Sequence, residues 1–125
     1  MQPVYYYDPE NEFSTDERCD INELLNLNAD ESCSIATARV APGITTQLHA
    51  VLGTTERYVI LQGQGKVRIN HGTSLAVAYL DTVLIPPGAA QQITNTGSED
   101  LMFLCICTPR FKQKNYRGLE DKDEK

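Results

Sequence analysis

The stretch Gly43-Ile44-Thr45-Thr46-Gln47-Leu48-His49-Ala50-Val51-Leu52-Gly53-Thr54-Thr55-Glu56-Arg57-Tyr58-Val59-Ile60-Leu61-Gln62-Gly63 decides how the chain folds. Two strand-like runs, Thr45 to Leu52 and Glu56 to Gln62, flank the turn Gly53-Thr54-Thr55, and Gly63-Gln64-Gly65 reverses the chain again. Alternate side chains of a strand share one face, so His49 points the same way as Gln47 and Val51, and Tyr58 the same way as Glu56. A histidine and an acid on successive strands of one hairpin are the first sign of a site. Gly63-Gln64-Gly65 itself is a hairpin turn and not a phosphate cradle, because no helix follows to supply amide donors.

The same rhythm continues in both directions. Lys66 to Asn70, Leu75 to Leu80, Asp81 to Ile85, Gln91 to Asn95 and Leu101 to Cys107 read as further strands. They are punctuated by His71-Gly72-Thr73, by the rigid corner Pro86-Pro87-Gly88 and by Thr96-Gly97-Ser98-Glu99. Upstream, Cys33 to Val40 alternates apolar and small polar residues, and Cys19 to Leu25 is short enough for strand or helix, with strand favoured. No segment keeps a helical period, so an all-β sandwich or barrel is expected. Residues 1–32 are expected to pack on the barrel, residues 33–108 to form its core, and residues 109–125 to be a charged, solvated tail.

Leu101 to Cys107 is apolar on both faces, so both need a cover. The barrel interior covers one. The N-terminal segment or a second subunit covers the other, and the second choice predicts a homodimer.

With 125 residues, 41% of them hydrophobic, the chain is large enough for one domain with its own core. A net charge of −6 repels phosphate backbones and anionic lipid, so neither nucleic acid nor membrane is an expected partner. Residues 1–7 lack a basic region, and no run approaches the roughly 18 apolar residues of a membrane span; a soluble, cytoplasmic protein is expected. In that compartment Cys19, Cys33, Cys105 and Cys107 are expected to be reduced. The single residue between Cys105 and Cys107 suits neither a zinc knuckle nor a disulfide.

Spacing then adds a motif. Gly43 is followed after five residues by His49, His49 after six by Glu56, and Glu56 after six by Gly63. Downstream, Asp81, Pro86, Gly88 and Asn95 stand at the positions of a second motif, with Leu80 in place of its first glycine and Gln91 in place of its histidine. Together these resemble the two motifs of the cupin superfamily, over roughly residues 33 to 108; Val51 stands where the first motif carries its second histidine.

The resemblance implies a single-domain double-stranded β-helix, or jelly-roll barrel, with four ligand positions converging on one divalent metal. Here His49, Glu56 and Gln91 are the expected ligands of an ion such as Mn, Fe, Ni or Zn, and Val51 supplies nothing. Gln47, Val51 and Tyr58 are the expected substrate-binding residues. The first functional reading is a metal-dependent dioxygenase, decarboxylase or isomerase acting on a small polar, oxygen-rich molecule. The alternative is a non-catalytic or sensory module binding a small molecule without metal. A third reading uses His49 as base and Tyr58 as acid without metal, though no aspartate at a fitting offset is evident to orient His49. Each residue also has an inert reading: His49 can donate to a buried carbonyl and Glu56 can be its ion-pair partner. His71 in a turn and Arg110 in the tail are expected to be solvated, although Arg110 could clamp a substrate carboxylate.

Overall fold

A computed structural model describes residues 2–120. Its strands are β1 (Phe13–Ser14), β2 (Asp20–Leu25), β3 (Ser34–Val40), β4 (His49–Val51), β5 (Thr55–Gln62), β6 (Gly65–Ile69), β7 (Leu75–Val77), β8 (Thr82–Ile85), β9 (Gln91–Asn95), β10 (Leu101–Thr108) and β11 (Tyr116–Gly118). They form two antiparallel sheets, one in the order β1-β2-β3-β10-β5-β8 and the other β11-β4-β9-β6-β7. Among the described residues the only helical pieces are the 3-10 turns Pro9–Asn11 and Gln113–Asn115, so the all-β class holds.

Period-two alternation builds the core. From β3, β5 and β10, the side chains of Ala38, Val40, Tyr58, Ile60, Leu101 and Phe103 turn inward to meet Val67 and Ile93 of the opposite sheet. The outward side chains of β10 are Met102, Leu104 and Ile106, each half-buried. Beside them lie Val59 of β5 and Leu84 of the edge strand β8, the latter 64% exposed.

Two expected strands shift in detail. The strand expected from Thr45 to Leu52 is regular only at His49–Val51. The reason is that upstream backbone donors leave the sheet: the Gln47 N–H bonds Glu17 O at 2.9 Å and the Leu48 N–H bonds the Glu120 carboxylate at 2.9 Å. The strand expected over Leu75 to Leu80 stops at Val77, where Asp81 Oδ2 accepts the Ala78 N–H at 2.8 Å and closes a turn. Within that turn Leu80, at the position where the cupin motif has glycine, adopts φ +70. Gly63 shows why the other motif glycine is kept: its φ is +82, and a Cβ there would stand 2.8 Å from Asp100 O.

The largest departure is at the C-terminus. Residues 110–120 do not trail into solvent: they run across the open end of the barrel as a strap, and Tyr116–Gly118 adds a strand to β4. Apolar residues among the charges give the reason, since Phe111 and Tyr116 are half-buried against the barrel. Side-chain bonds pin the strap further. Phe111 N–H donates to Ser34 Oγ at 2.9 Å, Asn26 Nδ2 donates to Phe111 O at 3.0 Å, and Arg18 pairs with both oxygens of Glu120. Residues 121–125 of the expected tail lie outside the described residues.

Candidate functional site

A cavity of about 910 Å³ opens between the sheets at the end crossed by the strap. Its walls include His49, Val51, Glu56, Tyr58 and Gln47, all expected from strand parity. His49 and Gln91 are direct partners across β4 and β9, while Glu56 and Tyr58 project from the inner face of β5. The hairpins therefore bring imidazole, acid and amide together.

Their bonding is specific. Gln91 Nε2 donates to Glu56 Oε1 at 2.9 Å, and the Tyr58 hydroxyl donates to Gln91 Oε1. Gln91 is only 1% exposed and does not line the cavity; it stands behind Glu56 and Tyr58 and joins them. His49 Nδ1 lies 2.8 Å from Gln47 O. A carbonyl only accepts, so Nδ1 carries the proton and the neutral ring has its lone pair on Nε2. That nitrogen is 3.8 Å from Glu17 Oε2. The imidazole is held in place by Tyr116, stacked at a centroid distance of 5.1 Å and 17° between planes, whose hydroxyl donates to Gln47 Oε1 at 2.7 Å.

Burial sets the proton affinities. It pushes the Glu56 carboxyl above the ordinary carboxylate value, with the Gln91 bond and nearby His49 opposing and Glu17 adding to the rise. Tyr58 is pushed up strongly by burial and by its neighbour Glu56, and Tyr116 is raised by burial and by Glu17. Three thiols also reach this space. Burial raises Cys105 far above the usual thiol range and pushes Cys19 and Cys107 up to about 12, so all three are protonated at neutral pH.

These residues fit a divalent ion poorly. The Gln91 oxygen accepts from Tyr58, its N–H₂ faces Glu56, and the side chain is off the cavity wall. Val51 adds no donor, and no group of three or more His, Cys, Asp or Glu side chains arranged for a metal occurs among the described residues. Gln91 is thus a structural bridge whose geometry does not present it as a ligand.

Sequence reasoning missed Glu17 and Tyr116, while the buried carbonyl it allowed for His49 is that of Gln47. Glu17 sits in the loop between β1 and β2, where no periodicity assigns a direction. Tyr116 had a usable signal, an aromatic residue inside a charged segment. Arg110 is held by Asn26, Asn28 and Glu31, and His71 is exposed in a turn away from the cavity.

The chain belongs to the family described as Polysaccharide biosynthesis C-terminal domain, which matches residues 14–117. An uncharacterized protein of Methanocaldococcus jannaschii, MJ1618, is 32% identical over 116 residues, covering 91% of this chain and 92% of its own. Among solved structures, a variant of Streptomyces Pac13 with uridine superposes with a TM-score of 0.77 at 18% identity, covering 93% of this chain and 91% of that one. The cupin domain of Schizosaccharomyces pombe Cnp3 superposes with a TM-score of 0.68 at 17% identity, covering 79% of this chain and 68% of that one. The fold is a small cupin, a double-stranded β-helix.

Proposed function

We propose that this protein is a metal-independent cupin enzyme that moves a proton on a small polyhydroxylated molecule of sugar or nucleoside type. One observation carries the reading: His49 presents an Nε2 lone pair to the cavity beside Glu56, an acid whose hold on its proton burial strengthens. A base and an acid of that kind, on opposite sheets of one cavity, suit removal of a carbon-bound proton with protonation of a substrate oxygen. His49 Nε2 takes the proton, Glu56 delivers its own to the carbonyl or departing hydroxyl oxygen, and Glu17 faces the imidazolium that results. Tyr58 is a positioning residue here, since its hydroxyl proton is committed to Gln91. The family description supports a carbohydrate substrate, and Pac13, described as a nucleoside dehydratase, supports this class of reaction on this fold. A divalent ion on His49, Glu56 and Gln91 has less support, because the amide bridges Tyr58 and Glu56 off the cavity wall.

The test is exchange of carbon-bound hydrogen in deuterium oxide, read by NMR over a panel of nucleosides and sugar nucleotides with uridine among them. His49→Gln and Glu56→Gln should each slow exchange by about 10²-fold or more while leaving the protein folded, and a chelator should change neither exchange nor melting. Exchange that survives His49→Gln, or that stops on chelation, would count against the reading. Binding with no exchange would favour the non-catalytic module.

Two further expectations belong to the same reading. A second copy of the chain covers the outer face formed by Val59, Leu84, Met102, Leu104 and Ile106, making a homodimer. The protein works in the cytoplasm, in keeping with four unpaired cysteines; no helix among the described residues is long and apolar enough to cross a membrane.

A further inference from the structure

The cavity is larger than the acid–base pair needs, and its far wall differs in charge. Arg110, Lys112 and Lys114 of the strap all line it, and among the described residues no other lysine or arginine does. In a chain with 17 acidic and 11 basic residues, three cations within five positions on one wall stand out.

The three are not equivalent. Arg110 is spent on structure: its guanidinium donates to Asn26 Oδ1 at 3.1 Å, Asn28 Oδ1 at 2.9 Å and Glu31 Oε2 at 3.3 Å. Lys112 Nζ shares that same Glu31, at 3.0 Å. One carboxylate thus serves two cations, and Lys114 has no carboxylate within ion-pair distance among the described residues. The strap therefore keeps positive charge in excess, and the hydrogen bonds of Phe111, described above, hold it still. Lys114 is two residues from Tyr116, whose ring lies on His49, so their Cα atoms are at most roughly 7.6 Å apart. Base and cation both line this one cavity.

We propose that Lys112 and Lys114 form a phosphoryl subsite at the mouth of the cavity, so that the substrate is a phosphorylated or nucleotide form of the hydroxylated molecule bound at His49 and Glu56. This rests on the proposed function for the hydroxylated half only. Both cations are ammoniums, Lys114 without a carboxylate partner among the described residues and Lys112 sharing Glu31 with Arg110; such compact point charges suit a multiply charged phosphoryl oxygen cluster, whereas a planar carboxylate is best read by a guanidinium fork, and the one on this wall is engaged by Asn26, Asn28 and Glu31.

The probe is inorganic pyrophosphate, titrated into the full-length protein labelled with nitrogen-15 and followed by amide chemical shifts. Saturable shifts are expected on residues 110–118, with an apparent affinity about five-fold weaker in Lys112→Gln/Lys114→Gln and unchanged in Lys66→Gln on the outside of the barrel. His49→Gln should retain the pyrophosphate response, which separates this subsite from the acid–base reading: either half can fail while the other is observed. Three results would overturn the proposal: no shift on the strap at millimolar pyrophosphate, shifts spread evenly over surface lysines, or an equal response to malonate.

Discussion

Gln91→Leu replaces one side chain and strands two others. The amide is 1% exposed, accepts from the Tyr58 hydroxyl and donates to Glu56 at 2.9 Å, the one hydrogen bond the structure gives that carboxylate. Leucine fills nearly the same space, so the loss is polar and not a cavity. A buried group left without its partner costs about 1–3 kcal/mol, and two are left here, so a loss of about 2–6 kcal/mol is expected. Against the usual domain stability of about 5–15 kcal/mol that is a large fraction. Tyr58→Phe alone strands only the Gln91 oxygen. In the double variant Gln91→Leu/Tyr58→Phe, both ends of the phenol–amide bond are gone and only Glu56 is left unpaired. Its cost should therefore fall short of the summed single costs by at least about 1 kcal/mol. Urea unfolding read by circular dichroism measures all three. A cost for Gln91→Leu below about 1 kcal/mol, or strict additivity in the double variant, would refute the bridging role.

Two other expectations follow from the same structure. Burial raises the Glu56 pKa above its ordinary 4.5, so the folded state holds that proton more tightly than the unfolded chain does. The associated stabilisation is complete below 4.5 and is lost as pH rises through the folded value, so Glu56→Gln should gain on wild type toward alkaline pH; a difference independent of pH would contradict the assignment. Leu80 is 57% exposed and holds φ +70, a conformation that costs a residue with a Cβ about 1–2 kcal/mol. Leu80→Gly should raise the thermal midpoint despite the added freedom of the unfolded chain, and Leu80→Ala should not; equal behaviour of the two would show that the turn carries no such strain.

The fold was legible because strand parity and turn chemistry are local. Gly63 and Pro86-Pro87-Gly88 mark corners, and the alternation in β3 and β5 names their inner faces directly. The meeting of His49, Glu56 and Gln91 was legible for a different reason, since motif spacing encodes register between strands far apart in sequence. What escaped depended on loops and on the C-terminal strap. Glu17 reaches His49 from a loop whose direction no period sets, and Tyr116 arrives on a three-residue strand too short to register in a charged segment. The role of Gln91 escaped because spacing gives a position and says nothing of which atoms a neighbour such as Tyr58 already engages.

That neighbour explains why glutamine suits position 91. Glu56 and Tyr58 are alternate residues on one face of β5, so their polar ends lie side by side about two strand rises apart, and both must be satisfied where water is scarce. A carboxylate accepts and a phenol donates. A carboxamide carries an N–H donor and a carbonyl acceptor on one carbon, and so can serve both from a single planar group, as Gln91 does. A ligating imidazole would have to turn one nitrogen to the ion and could then satisfy only one of the two. On the proposed reading, glutamine at 91 and valine at 51 turn the site from gathering lone pairs around a cation to holding one acid, Glu56, beside one base, His49. On that reading the polar groups at this end of the cavity place a proton, and the Gln91 amide is satisfied by Tyr58 and Glu56.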